Sequence, residues 1–138
     1  MTLRIQKIKL KYFHDGVDGC LTIAEAQREI PFPIRRAYYI NKLQNRNAVR
    51  GKHAHKKLEQ AIFCLQGSFR LELDNGYSRK KIMVRKSHIG VYLPPRMWHT
   101  MTRFSKNCVI LVLASDFYKE SDYIRDHDQF RRLVRAAQ

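Results

Sequence analysis

One stretch concentrates the chemistry of this chain. Arg50-Gly51-Lys52-His53-Ala54-His55-Lys56-Lys57-Leu58-Glu59-Gln60 sets two histidines at alternate positions. On a strand, His53 and His55 share one face, roughly 7 Å apart, and Ala54 points the other way. A third histidine, His99, ends the stretch Pro94-Pro95-Arg96-Met97-Trp98-His99. Three imidazoles with an amide at Gln60 could hold a transition metal. They could also be satisfied core residues, or move protons in a pocket without metal. The last reading is preferred. An imidazole with an unperturbed pKa of ~6.5 both takes and gives a proton near neutrality. Two of them on one face suit a 1,2-proton shift: a proton leaves the carbon beside a carbonyl, an enediol(ate) forms, and a proton returns at the neighbouring carbon. A tyrosine or a second imidazole can donate to the developing oxyanion.

Such geometry needs a rigid framework, and the chain reads as short strands punctuated by Gly, Pro, Asn and Asp. Leu3 to Leu10 alternates in part, as an edge strand would. A turn at His14 to Gly19 leads to a short strand, Cys20 to Ala24. Ile34 to Ile40 is an aromatic strand in which Tyr38 and Tyr39 face opposite ways, so one of them faces the pocket. Leu43 to Val49 is loop-like, and Gln60 to Leu65 is an apolar run of strand length. Ser68 to Leu73 alternates up to Asp74-Asn75-Gly76, a hairpin signal because Asn-Gly supplies the positive φ of such turns. Strands at Lys80 to Arg85, His88 to Leu93, Trp98 to Phe104 and Cys108 to Ala114 follow. Tyr123, Phe130, Leu133 and Val134 have helical spacing, with Asp116 to Ser121 as the expected cap. About nine strands at this spacing predict an all-β closed or sandwiched domain with a cavity between its sheets, plus a short C-terminal helix.

The 138 residues fit one domain, 1–138, with one core. Charge is the outlier: 27 Lys+Arg against 12 Asp+Glu give +15, which calls for a polyanionic partner. Nucleic acid is disfavoured because the basic residues are spread along the chain and no RNA-binding aromatic string is present. A membrane span is excluded by the lack of any apolar run near ~20 residues. Met1 to Lys7 lacks the apolar core of a secretory signal. Cys20, Cys64 and Cys108 are odd in number and far apart, which argues against a disulfide framework; Cys64 and Cys108 sit inside apolar runs, so buried free thiols there and a reduced, cytoplasmic setting are expected.

His-x-His, the amide at Gln60, Gly67, and then the Pro-Pro stretch ending in His99 resemble the two motifs of the cupins, which fold as a double-sheet jelly-roll barrel. Metal-binding cupins carry a glutamate where this chain has Gln60; Glu59 is one step out of register and would face away. Longer strings are more specific. Phe32-Pro33-Ile34-Arg35-Arg36-Ala37-Tyr38-Tyr39-Ile40, Arg50 to Gln60, Trp98-His99, Leu113 to Tyr118 and Asp122-Tyr123-Ile124-Arg125 closely resemble the sugar 3,4-ketoisomerases of the cupin superfamily. That resemblance implies conversion of dTDP-4-keto-6-deoxyglucose to a dTDP-3-keto-6-deoxyhexose, without metal or redox cofactor, in a cytoplasmic homodimer with swapped strands. It implies an aminotransferase downstream, in the making of sugars for bacterial glycans. His53 and His55 would transfer protons, His53 as base at C3, with the C4 donor open between His55 and water; Tyr38 would be their polar partner. Arg36, Arg50 and Lys56 are candidates for the pyrophosphate, since guanidinium forks suit phosphate oxygens. Asp18, His99 and Trp98 would border the sugar. The family divides by the C4 configuration of its product. His99 looks like the galacto branch, whereas Asp18 stands where Tyr or Arg is usual.

Plainer readings stand beside these. Trp98 could pack the barrel mouth, Lys57 could be solvated edge, and Arg79-Lys80-Lys81 reads as solvated surface. Two other functions compete with the isomerase: a metal-dependent cupin oxygenase built on His53, His55 and His99, and a nucleic-acid-binding module suggested by the charge.

Overall fold

Period-two alternation dominates the sequence, and the backbone follows it. The structure is a computed structural model that describes residues 2–137. Its strands are β1 (Gln6–Lys9), β2 (Lys11–His14), β3 (Cys20–Ile23), β4 (Arg36–Ile40), β5 (Arg50–His55), β6 (Gln60–Gln66), β7 (Phe69–Asp74), β8 (Arg79–Val84), β9 (Ile89–Leu93), β10 (Trp98–Thr102), β11 (Val109–Ala114) and β12 (Tyr123–Ile124). The helix α1 (His127–Ala136) follows.

Two five-stranded sheets form, in the orders β1-β9-β6-β11-β4 and β12-β5-β10-β7-β8, and β2 pairs with β3 in a separate ribbon. Their inner faces share one core. Ile62, Val91, Ile110 and Val112 come from the first sheet and Phe69, Leu71, Leu73 and Met101 from the second. The outer face of the first sheet is covered by Ile30 and Phe32, against Phe63 and Leu113. The outer face of the second is covered by α1, whose Phe130 packs on Ala54 and Ile124. This is the all-β, double-sheet jelly-roll barrel with a short C-terminal helix that the resemblance implies. Because α1 closes one face of β5, the histidines that alternate with Ala54 are turned to the barrel interior.

Some boundaries differ from the sequence reading. Among the described residues there are twelve strands rather than about nine. The expected strand Leu3 to Leu10 breaks at Leu10, whose N–H leaves the run to donate to the His88 carbonyl at 2.8 Å, and the chain continues into β2. The cap of α1 is Asp126, whose side chain accepts from the Gln129 N–H, not a residue of Asp116 to Ser121. Those earlier residues cannot cap it because Tyr123 and Ile124, between them and the helix, are held as β12 against β5. The Asn75-Gly76 turn forms as expected: Gly76 has φ +92° and the Asn75 side chain accepts from the Tyr77 and Ser78 N–H groups. Among the described residues, no helix is long and apolar enough to cross a membrane.

Candidate active site

β5 and β10 are neighbours, and His53 lies directly across from His99. The pairing slips between His99 and Thr100, opposite Gly51 and Lys52, whose φ values are +84° and +59°. This bulge aims His53, because the Gly51 carbonyl it displaces accepts from His53 Nδ1 at 3.0 Å. A carbonyl can only accept, so His53 carries its proton on Nδ1 and leaves Nε2 with a lone pair. The His53 ring centroid lies 4.6 Å from that of His99, 5.0 Å from that of His55 and 4.9 Å from that of Tyr123.

His55 lies deeper. Its Nδ1 donates to Asp122 Oδ2 at 3.2 Å, and its Nε2 is buried without a partner among the described residues. His99 is buried too, beside the Met97 backbone. Burial is the main force lowering the pKa of all three. It brings His55 to about 4, aided by His53 and opposed by Asp122. It brings His99 to about 3, aided by His53 and His55. His53 is lowered as well, with the Gly51 hydrogen bond acting against burial. At neutral pH the cluster is therefore three uncharged imidazoles.

β4 supplies the opposite wall. Its alternation turns Arg36, Tyr38 and Ile40 inward and leaves Tyr39 67% exposed, so of these two tyrosines Tyr38 is the one that lines the cavity. The Tyr38 hydroxyl accepts from Gln60 Nε2 at 3.0 Å and keeps its own proton to donate. Burial, above all, raises its pKa, so it stays protonated. Glu59, next to Gln60, faces away and accepts from the Tyr92 hydroxyl.

An open cavity of about 420 Å³ lies over this cluster; Arg36, Tyr38, Arg50, His53, His99, Tyr123 and Arg125 are among its lining, and His55 stands behind His53. The Arg36 guanidinium lies 5.5 Å from the Tyr38 ring and 5.9 Å from that of Tyr118. Arg125 is already engaged, with Nε and Nη2 donating to Glu120 at 2.8 and 2.9 Å and its guanidinium 4.2 Å from the Tyr123 ring. That pairing holds the Glu120 carboxyl down to about 2.

The structure thus brings together His53, His55, His99, Tyr38, Arg36 and Arg50. Three expected residues stand elsewhere. Lys56 follows the inward-facing His55 and turns out; its Nζ donates to the Ser121 carbonyl at 3.0 Å, and it lines a different cavity with Arg35, Lys57 and Lys119. Trp98, beside His99 on the strand, faces the opposite way and packs on His127 and Phe130, with centroids 5.0 and 5.7 Å away. Asp18 lies in the exposed turn between β2 and β3 and does not line the cavity. Asp122 and Tyr123 reach the site from the tail, and the string Asp122-Tyr123-Ile124-Arg125 is the signal in the sequence that points to them.

The family described as "FdtA: WxcM-like, C-terminal" matches residues 3–135. The chain belongs to this family. Its relatives are sugar 3,4-ketoisomerases. A protein of Aneurinibacillus thermoaerophilus, TDP-4-oxo-6-deoxy-alpha-D-glucose-3,4-oxoisomerase, is 46% identical over 116 residues, covering 84% of this chain and 83% of that protein. A mutant of the 3,4-ketoisomerase QdtA from Thermoanaerobacterium thermosaccharolyticum, solved with TDP-4-keto-6-deoxyglucose, is 38% identical. It superposes with a TM-score of 0.93 over 99% of this chain and 97% of that one. The TDP-quinovose 3,4-ketoisomerase WlaRB from Campylobacter jejuni is 40% identical, with a TM-score of 0.87 over 93% and 97% of the two chains. In this FdtA-family chain, the barrel mouth that holds His53 is also where Arg36 and Arg50 stand.

Proposed function

We propose that this chain isomerises dTDP-4-keto-6-deoxy-D-glucose to a dTDP-3-keto-6-deoxyhexose through an enediol. The observation that carries this reading is His53: a neutral imidazole on the cavity wall whose Nδ1 is tied to Gly51 and whose Nε2 is bare. Nε2 takes the C3 proton. The C3–H electron pair becomes the C3=C4 double bond, and the C4 carbonyl electrons move to O4. Tyr38, held protonated, donates to that developing oxyanion. Return of a proton to C4 and transfer of the O3 proton to O4 complete the exchange. C3 is oxidised as C4 is reduced, so the reaction has no net oxidant or reductant.

His55 suits the oxygen-bound proton better than the carbon-bound one. With Nδ1 committed to Asp122, its Nε2 can only accept at the outset, and a hydroxyl at C3 has a proton to offer. Arg36 and Arg50 are the proposed pyrophosphate ligands, and Lys56 is withdrawn from that role. The product is proposed to have the galacto configuration, on the strength of His99 opposite His53.

The protein is further proposed to act as a homodimer with swapped strands. The β2–β3 ribbon is bonded to neither large sheet, and it exposes Phe13 and Leu21, 56% and 60% accessible. β4 is an unpaired edge beside the cavity. A partner's ribbon reaching that edge would explain why Asp18 lies away from the site of its own chain.

The test is incubation of the purified protein with dTDP-4-keto-6-deoxyglucose in deuterium oxide, with NMR of the sugar. Deuterium at the hexose and a 3-keto product with axial O4 are expected. Absence of both deuterium and 3-keto product sinks the assignment, and an equatorial O4 overturns only the configuration.

A further inference from the structure

We infer that Asp122 is a positioning residue of this site: it acts through His55, fixing that ring's proton on Nδ1 and leaving Nε2 bare in the buried space beside His53 and Tyr123. The inference rests on the proton-transfer reading above.

The carboxylate has little freedom. Oδ1 accepts from the Lys57 N–H at 2.9 Å, and Oδ2 accepts from the Leu58 N–H at 3.2 Å as well as from His55 Nδ1 at 3.2 Å. The backbone of Asp122 is tied on both sides, its N–H to the Lys119 carbonyl and its carbonyl to the Lys56 N–H. A carboxylate so placed cannot donate, so Nδ1 must. The other groups around His55 are His53 on its own strand, His99 on β10, Tyr123 on β12 and Arg36 on β4. His53 and Arg36 disfavour a positive charge on the ring, whereas the carboxylate of Asp122 favours one. When Nε2 takes the O3 proton, the imidazolium therefore forms against an anion already in place. Asp122, in the turn before β12, also holds the backbone just past β5 at Lys56, Lys57 and Leu58, so its loss would loosen that segment as well as the ring. The test must separate the two effects.

The probe is TDP-4-keto-6-deoxyglucose in deuterium oxide, read for two quantities: deuterium entering C3 of recovered substrate, and formation of 3-keto product. In Asp122→Asn, an amide oxygen kept on Lys57 turns the NH2 group toward Leu58 and His55 and drives the ring to the other tautomer, whereas an oxygen kept on Leu58 and His55 preserves the tautomer; in both orientations the negative charge beside the ring is lost. The variant is expected to exchange C3 near the wild-type rate, since His53 is untouched, and to form product at least roughly tenfold more slowly. In a His55→Asn background, the same change should cost nothing further, because its effect runs through that ring. Exchange and product formation falling together, neither falling, or additive losses would each overturn the inference. Should the variant not fold, NMR of the imidazole nitrogens of the wild-type protein decides: a proton on Nδ1 of His55 supports the role and a proton on Nε2 overturns it. A wild-type protein that shows neither exchange nor product instead removes the underlying reading, which the same first measurement reveals.

Discussion

His53 differs from its two neighbours in kind rather than degree. His55 and His99 are buried, whereas His53 is half-buried and, unlike His55, lines the cavity. A base must be uncharged to act, and burial has moved His53 in the direction that keeps it so. The sign of the pH dependence follows. With the folded pKa below the free value of 6.5, the neutral form persists as pH falls past that value, so the acid limb of kcat/KM should lie below 6.5. A pH–rate profile with its acid limb above 6.5 would show that another group governs the base step. His53→Asn should abolish both deuterium entry and turnover while retaining dTDP binding by calorimetry; normal turnover in that variant refutes the base assignment. Tyr38 is argued on the opposite ground. It must remain protonated to donate, and burial raises its pKa as required. Tyr38→Phe should lower kcat by about 100-fold with little change in KM, as expected for an oxyanion donor felt chiefly in the transition state.

At the scale of elements, the bulge in β5 is the feature on which the site turns. Gly51 adopts φ +84°, and a Cβ there would stand 2.9 Å from the His99 carbonyl oxygen. Gly51→Ala should cost about 1–3 kcal/mol and also swing His53 off its carbonyl anchor. A drop in Tm together with a loss of turnover is the expected result. A variant with wild-type Tm and activity would show that β5 tolerates a side chain there. Most strands could be read beforehand because alternation writes itself into residue type, as in Phe69, Leu71 and Leu73. The face of β5 was equally legible, since Ala54 is the small residue that α1 can cover. Of the two readings of Trp98, strand parity favours packing: if His99 faces in, its neighbour faces out, against His127 and Phe130. Lys56, beside the inward-facing His55, obeys the same rule. The contact of Asp122 with His55 was of another kind. The two residues are 67 positions apart, and β12, the strand that joins them, is two residues long, too short to leave a periodic trace. Asp126 lost its place as cap in the sequence reading because Tyr123 happens to fall in phase with the helix that follows.

For the whole molecule, the charge of +15 has only a local use so far. Arg36 and Arg50 stand at the cavity and Arg125 is paired with Glu120, while Arg79, Lys80 and Lys81 are exposed on β8. What the whole chain leaves most conspicuously unfinished is the ribbon of β2 and β3, with Val17 fully exposed at its turn. An apolar ribbon bonded to no sheet of its own chain calls for cover, and a second copy offers the edge of β4. If the ribbon crosses over, Asp18 serves the partner's site, and this has a consequence that can be measured without any structure. Asp18→Ala should weaken turnover, and His53→Asn should abolish it, each as a homodimer. Co-expressed, the two chains form mixed dimers. With Asp18 acting across the interface, the site whose own chain keeps His53 receives an intact Asp18 from the other chain, and activity returns above that of either parent. With Asp18 acting within its own chain, every site in the mixed dimer carries one lesion, and no activity returns. Recovery on mixing therefore reports the swap directly, and its absence from a verified mixed dimer rules out a role for Asp18 in the partner's site.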